Sequence, residues 1–458
     1  MEQTTLYIIF FAAYILIVLS IGIVLSRKET EDGFMIANRK IAGLKVAATM
    51  SAGFFDCATL SIYFAYIYMY GFYAIWAFIG LMLGFAIFRR YAKRIKENSR
   101  RMKCYTMSEY FYRIYGKRTG IIFSVFIILQ FFLLLIVNFI VSSKVLSLMF
   151  NIPYSVALII GGGIVLSYLL LAGFKAVVDT DFFQLMMMFL LVFMTLFIIF
   201  GRTATIPLSD FNMVSLGIGN IIGFSIIGIM GVMVGPDIWE RVFATKDQKN
   251  LKRGLQYGIV IVIILSIIMT VIGLVMKHSL QNVAVEDVFS KGFLLLLPAG
   301  ISAFAMVLLY AVTLSSADTI TFVVSSVMTR DLKNYTKRYS DESMKKMTRI
   351  FMIAFIVAGI DIAIFYKNIM NVGFAFASVA VSLFPVVFGT FYFKLKERAV
   401  FWSLATALAS IVILVCSTTL NPMNTLIGLP VCAVTLIVLQ KTLKKNRYKL
   451  KNIKGARK

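Results

Sequence analysis

The 458-residue chain is a succession of apolar runs, each about 20 residues or longer, separated by short polar stretches. A helix rises about 1.5 Å per residue, so such a run spans a hydrocarbon layer about 30 Å thick. Within lipid only helices and closed barrels satisfy the backbone, and runs of this length select helices. They lie near 4–26, 41–69, 71–91, 119–147, 153–173, 180–200, 214–244, 254–276, 292–327, 345–366, 370–393, 399–418 and 424–440, thirteen in all. The expected fold class is therefore all-α, a polytopic membrane protein. Composition agrees, because 60% apolar and only 15% charged residues is not the make-up of a soluble protein of this size.

Lysine and arginine orient the spans, since basic residues in short loops resist translocation. With the N-terminus outside, 41 of the 46 fall on inner segments, leaving Lys144, Arg202, Lys277, Lys291 and Lys367 outside. The net charge of +25 is thus a topology signal and an attraction to anionic membrane lipid. It does not mark nucleic-acid binding, because the basic residues are spread over many loops. Residues 1–26 lack a basic leader and read as a retained span. Four cysteines without paired spacing point to neither a disulfide framework nor zinc. The single histidine, His278, leaves no imidazole at membrane depth for catalysis, which argues against an intramembrane enzyme.

Against this background the stretch 310–335 stands out. It follows the apolar run from Phe293 to Leu309, yet carries Thr313, Ser315, Ser316, Asp318, Thr319 and Thr321. On a helix Ser315, Asp318 and Thr319 share one stripe, with Ser316 about 100° round. That is a patch of hard oxygen ligands, and its acid is costly at membrane depth unless it faces protein or water. The alternative is structural: hydroxyls bonding back one turn, with the carboxyl as a donor.

Two spans read as interrupted helices. In the second, Gly53 lies beside Phe54, Phe55, Asp56 and Cys57, joining a helix-weakening residue to an intramembrane acid. A break of that kind frees main-chain carbonyls for an ion or polar solute, while Asp56 also suits a cap on the second half-helix. In the seventh, six glycines from Gly217 to Gly235 lead into Pro236. Asp237 and Trp239 follow, and Glu240 and Arg241 are expected at the membrane interface. Five helices separate the two breaks, the spacing of an inverted repeat. Gln130 and Asn138 share a face, lining a pathway or bonding a neighbouring helix. Asp179 and Asp181 come at the inner end of a span, with Gln184 one turn on. The stretch 105–118 reads as an amphipathic surface helix, aromatics toward the headgroups, and the basic stretch from Lys441 as a disordered tail.

The segments DGFMIANRKIAG, MSAGFFD, YTMSEYFYRIYG, AGFKAVVDTDFFQ, GPDIWERVFATKD and LLPAGISAFAMVLLYAVTLSSADTITFVVSSVMTRDL, in this order and spacing, resemble the sodium/solute symporters, the family of sodium/glucose, sodium/proline and sialic-acid carriers. The resemblance covers nearly the whole chain. It implies a single transmembrane transporter domain: a leading helix and loop (1–40), a ten-helix inverted-repeat, LeuT-like core (41–393), two trailing helices (394–440) and a cytoplasmic tail (441–458). It also implies secondary transport in a plasma membrane, the inner membrane of a prokaryote, with sodium as coupling ion, no other cofactor, and a small solute and membrane lipid as partners. Oligomeric state is left open.

By the same resemblance sodium is held by the main-chain carbonyls of Phe54, Cys57 and Val312 and the hydroxyls of Ser315 and Ser316, a donor set suited to an alkali ion. Asp56 matches an acid of the proline branch. Asp181 matches an acid near a second sodium site, which Asp318 and Thr319 would complete here. Gly53, Phe55, Asn138, Asp237 and Trp239, with Phe54, are the expected walls of the solute site. The chain departs from the proline branch at Ala58 and Thr59, and Asp318 stands where relatives carry a small or hydroxyl residue, which points away from proline and opens proton coupling as an alternative. A transporter-like solute sensor is the second alternative.

Overall fold

The computed structural model describes residues 2–25, 31–55, 57–170, 174–200, 206–215, 217–280, 282–336 and 340–443. Asp56 and the basic tail from 444 onward lie outside the described residues, as do the side chains of Cys57 and Ser315. The described chain is helical almost throughout. The first half contains α1 (Glu2–Leu25), α2 (Glu31–Ile36), α3 (Gly43–Ala52), α4 (Cys57–Tyr70), α5 (Ile75–Met102), α6 (Met107–Tyr115), α7 (Lys117–Phe150), α8 (Tyr154–Leu169) and α9 (Phe174–Phe200). The second contains α10 (Ile218–Val234), α11 (Pro236–Ala244), α12 (Gln248–Ser279), α13 (Val288–Leu296), α14 (Ala299–Thr336), α15 (Asp341–Phe365), α16 (Ile369–Ser382) and α17 (Phe384–Tyr392), followed by α18 (Glu397–Ser417) and α19 (Gly428–Thr442).

Eleven helical stretches among the described residues are long and apolar enough to cross a membrane. One of them, Ala58–Met102, holds both α4 and α5 around the turn Gly71–Ala74, and the apolar helix Tyr154–Ser167 is shorter. The protein is thus multi-pass. Its lipid-facing surface is apolar, as Leu16 and Ile23 on α1 and Ile263 and Ile267 on α12 illustrate.

Packing exchanges the two halves. α3, from the first interrupted helix, packs along α12, which follows the second; α10, from the second, packs along α5, which follows the first. The same exchange turns the α14–α9 contact into the α7–α16 contact. Each half also places a short helix, α6 or α13, between its second and third long ones. This is an inverted repeat written in contacts. Glycine permits both close approaches: a Cβ on Gly80 of α5 would fall 2.2 Å from the Ser225 carbonyl oxygen, and one on Gly254 of α12 would fall 2.6 Å from Val46. Without a hydrophobic drive between helices in lipid, such backbone proximity is a main source of association.

Three expectations are corrected. The helix α6 does not turn its aromatics to headgroups. Tyr110 and Phe111 are buried in the protein, their rings 5.1 and 5.6 Å from Trp239, and Glu109 is held by Arg330 of α14 at 2.9 Å. Nor are Glu240 and Arg241 turned outward to headgroups. Both are buried, because α11 lies against α3, α5, α6 and α14 rather than on the surface. The long span after Pro298 also runs further than its apolar run, to Thr336, since its polar end is covered by protein.

Candidate functional site

Both interruptions are explained locally. The last turn of α3 tightens, Phe54 and Phe55 donating to the Ser51 carbonyl at 3.0 and 3.1 Å, and α4 resumes at Cys57. At the second break Gly235 is extended (φ −67°, ψ 111°) and Pro236 restarts the helix, where its missing N–H costs nothing. A Cβ on Gly235 would lie 2.9 Å from the Gly231 carbonyl oxygen and 3.0 Å from Oδ1 of Asp237, so the break admits no side chain.

The breaks meet at a cavity of about 170 Å3. Gly53 and Phe54 line it from the first break, Gly235 and Asp237 from the second, Gln130 from α7, and Ser316 and Thr319 from α14. Phe78, Phe131 and Phe376 supply apolar wall, the usual make-up of a small-molecule site with a few directed polar groups. Tyr63 also faces it, its hydroxyl engaged with Thr270 at 2.6 Å. By contrast Gln130 Oε1 and Ser316 Oγ are buried with no hydrogen-bond partner among the described residues. Buried polar atoms are nearly always satisfied, so these two are fit to meet a bound ion, water or solute.

A second polar cluster adjoins it. On α9 and α14 the pairs Thr180–Asp181 and Asp318–Thr319 face each other reciprocally: Thr180 donates to Asp318 and Thr319 to Asp181, each at 3.4 Å. Arg241 enters from α11. Its Nη2 donates to Asp181 at 2.9 Å, Nη1 to Asp237 at 3.1 Å and Nε to the Thr49 hydroxyl at 2.7 Å. Thr49 in turn donates to Asp181. Asp181 and Asp237 therefore share a single buried guanidinium, with the buried Asp318 facing Asp181 across the Thr180 and Thr319 bonds, a charge balance that favours an added cation.

Of the expected sodium ligands, Phe54 and Ser316 come to the cavity and Val312 is buried on α14. Of the expected solute walls, Gly53 and Asp237 line it. Phe55 is instead stacked on Phe78 at 5.3 Å. Asn138 donates to its own helix at Leu134, 3.0 Å away, and Trp239 donates to the Met233 carbonyl at 3.0 Å within an aromatic cluster. Asp179 pairs with Lys45 of α3. Sequence reasoning missed Arg241 as part of the site. The signal was present in its i, i+4 spacing from Asp237.

A family model described as the sodium:solute symporter family matches residues 34–407. The chain belongs to the sodium:solute symporter family. Symporters similar to it include a sodium/pantothenate symporter of Haemophilus influenzae, 24% identical over 84% of this chain and 86% of that one. The high-affinity proline transporter PutP of Bacillus subtilis is 25% identical over 70% of this chain and 72% of the relative. Among solved structures, a Na+-coupled sialic acid symporter in a substrate-bound outward-open state superposes with a TM-score of 0.82, at 16% identity, over 97% of this chain and 99% of that one. The nucleobase-cation symporter Mhp1 gives 0.63 at 12% identity, over 89% and 94%. These likenesses establish the LeuT-type fold, and family membership makes the chain a sodium-coupled solute symporter.

Proposed function

We propose that this symporter couples inward sodium flow to uptake of a small polar organic solute by alternating access, the solute sitting in the cavity between the two helix breaks. The observation that carries the reading is the pair of orphaned polar atoms, Gln130 Oε1 and Ser316 Oγ, in an apolar cavity at that junction. Sodium is held by the carbonyls of Phe54, Cys57 and Val312 with the hydroxyls of Ser315 and Ser316, near Asp56. A second cation site uses Asp181, Asp318 and Thr319. Gly53, Phe54, Gln130 and Asp237 border the solute. Thirteen crossings follow when Ala58–Met102 counts as two and the shorter helix of α8 as one. They divide into a leading helix, a core at 41–393 and trailing helices at 394–440. The chain lies in a plasma membrane, the inner membrane of a prokaryote, with its N-terminus outside and its tail in the cytoplasm, in keeping with the concentration of basic residues on one set of loops.

The test is thermal stability of the purified protein with proline, pantothenate, sialic acid and a panel of sugars, amino acids and carboxylates, each in sodium and in potassium chloride, since native-state ligands raise the melting temperature. A ligand that stabilises in sodium and less in potassium supports the reading. Equal stabilisation in both salts removes sodium coupling, and uptake that follows an imposed pH gradient without sodium replaces it by proton coupling.

A further inference from the structure

We propose that Arg241 is a tethered cation that competes with the transported ion for Asp181 and passes the outcome to the solute cavity through Asp237. The proposal rests on the second cation site advanced above. Its geometric basis is the sharing of one guanidinium between two acids in different settings. Asp181 is enclosed, its side chain 1% exposed, whereas Asp237 is 14% exposed and is the only carboxyl group among the described residues lining the cavity.

The two bonds differ mechanically. Arg241 and Asp237 lie one turn apart on α11, so their pairing survives any movement of that helix as a body. The bond to Asp181 crosses from α11 to α9, and the hydroxyl of Thr49, from α3, lies in the same junction. It is the exchangeable one. A cation arriving between Asp181, Thr319 and Asp318 repels the guanidinium and takes its place, while Arg241 withdraws onto Asp237 and Thr49. The cavity wall then presents a fully paired Asp237. With the ion gone, Arg241 returns to Asp181 and Asp237 is left partly uncompensated toward the solute. Because such linkage is reciprocal, a solute that prefers the paired wall tightens ion binding to the same degree.

The experiment is a sodium titration of melting temperature on the full-length protein in detergent, ionic strength held constant with potassium chloride. Arg241→Gln removes the competitor and is expected to lower the half-saturating sodium concentration about tenfold, within the usual range for linked sites. Asp237→Asn strands the guanidinium on Asp181 and is expected to raise it by a similar factor, an effect that disappears in an Asp181→Asn background. A purely structural Arg241 would lower the melting temperature of both variants and leave half-saturation unmoved, which overturns the proposal. If Arg241→Gln is not recovered folded, Asp237→Asn alone decides. A parent protein with no sodium-specific stabilisation removes the second cation site and this proposal together, whereas a sodium response indifferent to both substitutions removes this proposal alone.

Discussion

A Cβ built on Gly53 would stand 3.1 Å from Oδ2 of Asp237, so the acid of the second helix break rests on the backbone of the first. Gly53 itself has ordinary helical torsions (φ −66°, ψ −18°), so its lack of a side chain answers to this contact and not to backbone strain. Gly53→Ala should therefore fold and push the carboxylate by a few tenths of an ångström. The expected outcome is weaker binding of the solute found in the thermal screen, by about tenfold or ~1.4 kcal/mol, with the melting temperature little changed. Isothermal titration in sodium chloride checks it.

Gly231 tests the cavity from the other side. A Cβ there meets nothing within 4 Å, although the residue lines the cavity. Gly231→Leu should fill the space, abolish solute binding and leave stability equal or higher, because replacing a mid-helix glycine gains roughly 0.5–1 kcal/mol. A variant that still binds the solute would show that the cavity is not its seat.

Gly228, one turn before it, should behave in the opposite way. Its Cβ would fall 2.3 Å from the Ala77 carbonyl oxygen of α5. Gly228→Ala is expected to force α10 and α5 apart at a cost of about 1–3 kcal/mol, read as a lower melting temperature and poorer yield in size-exclusion chromatography.

Ser316→Ala removes a buried oxygen that has no protein partner among the described residues. Since no hydrogen bond to protein is lost, the fold should hold within about 1 kcal/mol. Sodium stimulation of uptake in proteoliposomes should fall at least tenfold, and Ser315→Ala combined with it should remove the stimulation. Unaltered sodium dependence would make the hydroxyl pair structural.

Asp287, in the turn before α13, titrates outside the spans. Burial works against its charge, but Lys144 at 2.7 Å and Lys291 at 3.0 Å outweigh it and hold the carboxyl below the usual carboxylate range. A depressed folded-state value contributes stability above the unfolded value, near pH 4, that is lost as pH falls through the folded one. Asp287→Asn should thus lower the melting temperature at pH 7 by the equivalent of about 1 kcal/mol or less. The difference from the parent should close once the pH has fallen below the usual carboxylate range and through the depressed folded-state value.

The breaks at Gly53 and Gly235 were legible because glycine, proline and an acid in an apolar run have few other uses. Asp181, Asp318 and Thr319 were legible as polar residues at membrane depth, and their meeting follows from α9 packing on α14. Arg241 was not. A basic residue at the end of an apolar run reads as an anchor in the headgroups, and only the burial of α11 beneath α6 reverses that. Trp239 and Asn138 both donate to main-chain carbonyls, and a polar edge on a helix does not reveal whether it faces a cavity or its own backbone, as Asn138 does.

Main-chain hydrogen bonds join Ile41, just before α3, to Ala244 and Lys246 at the end of α11, at 3.1 and 2.9 Å. No substitution short of proline removes a main-chain donor, so side-chain changes in the solute pocket leave both bonds available. Mechanically it makes α3 and α11 one lever, with the two helix breaks as its fulcrum. A tilt of one half-helix at that end would carry the other with it, through backbone bonds that no pocket side chain sets.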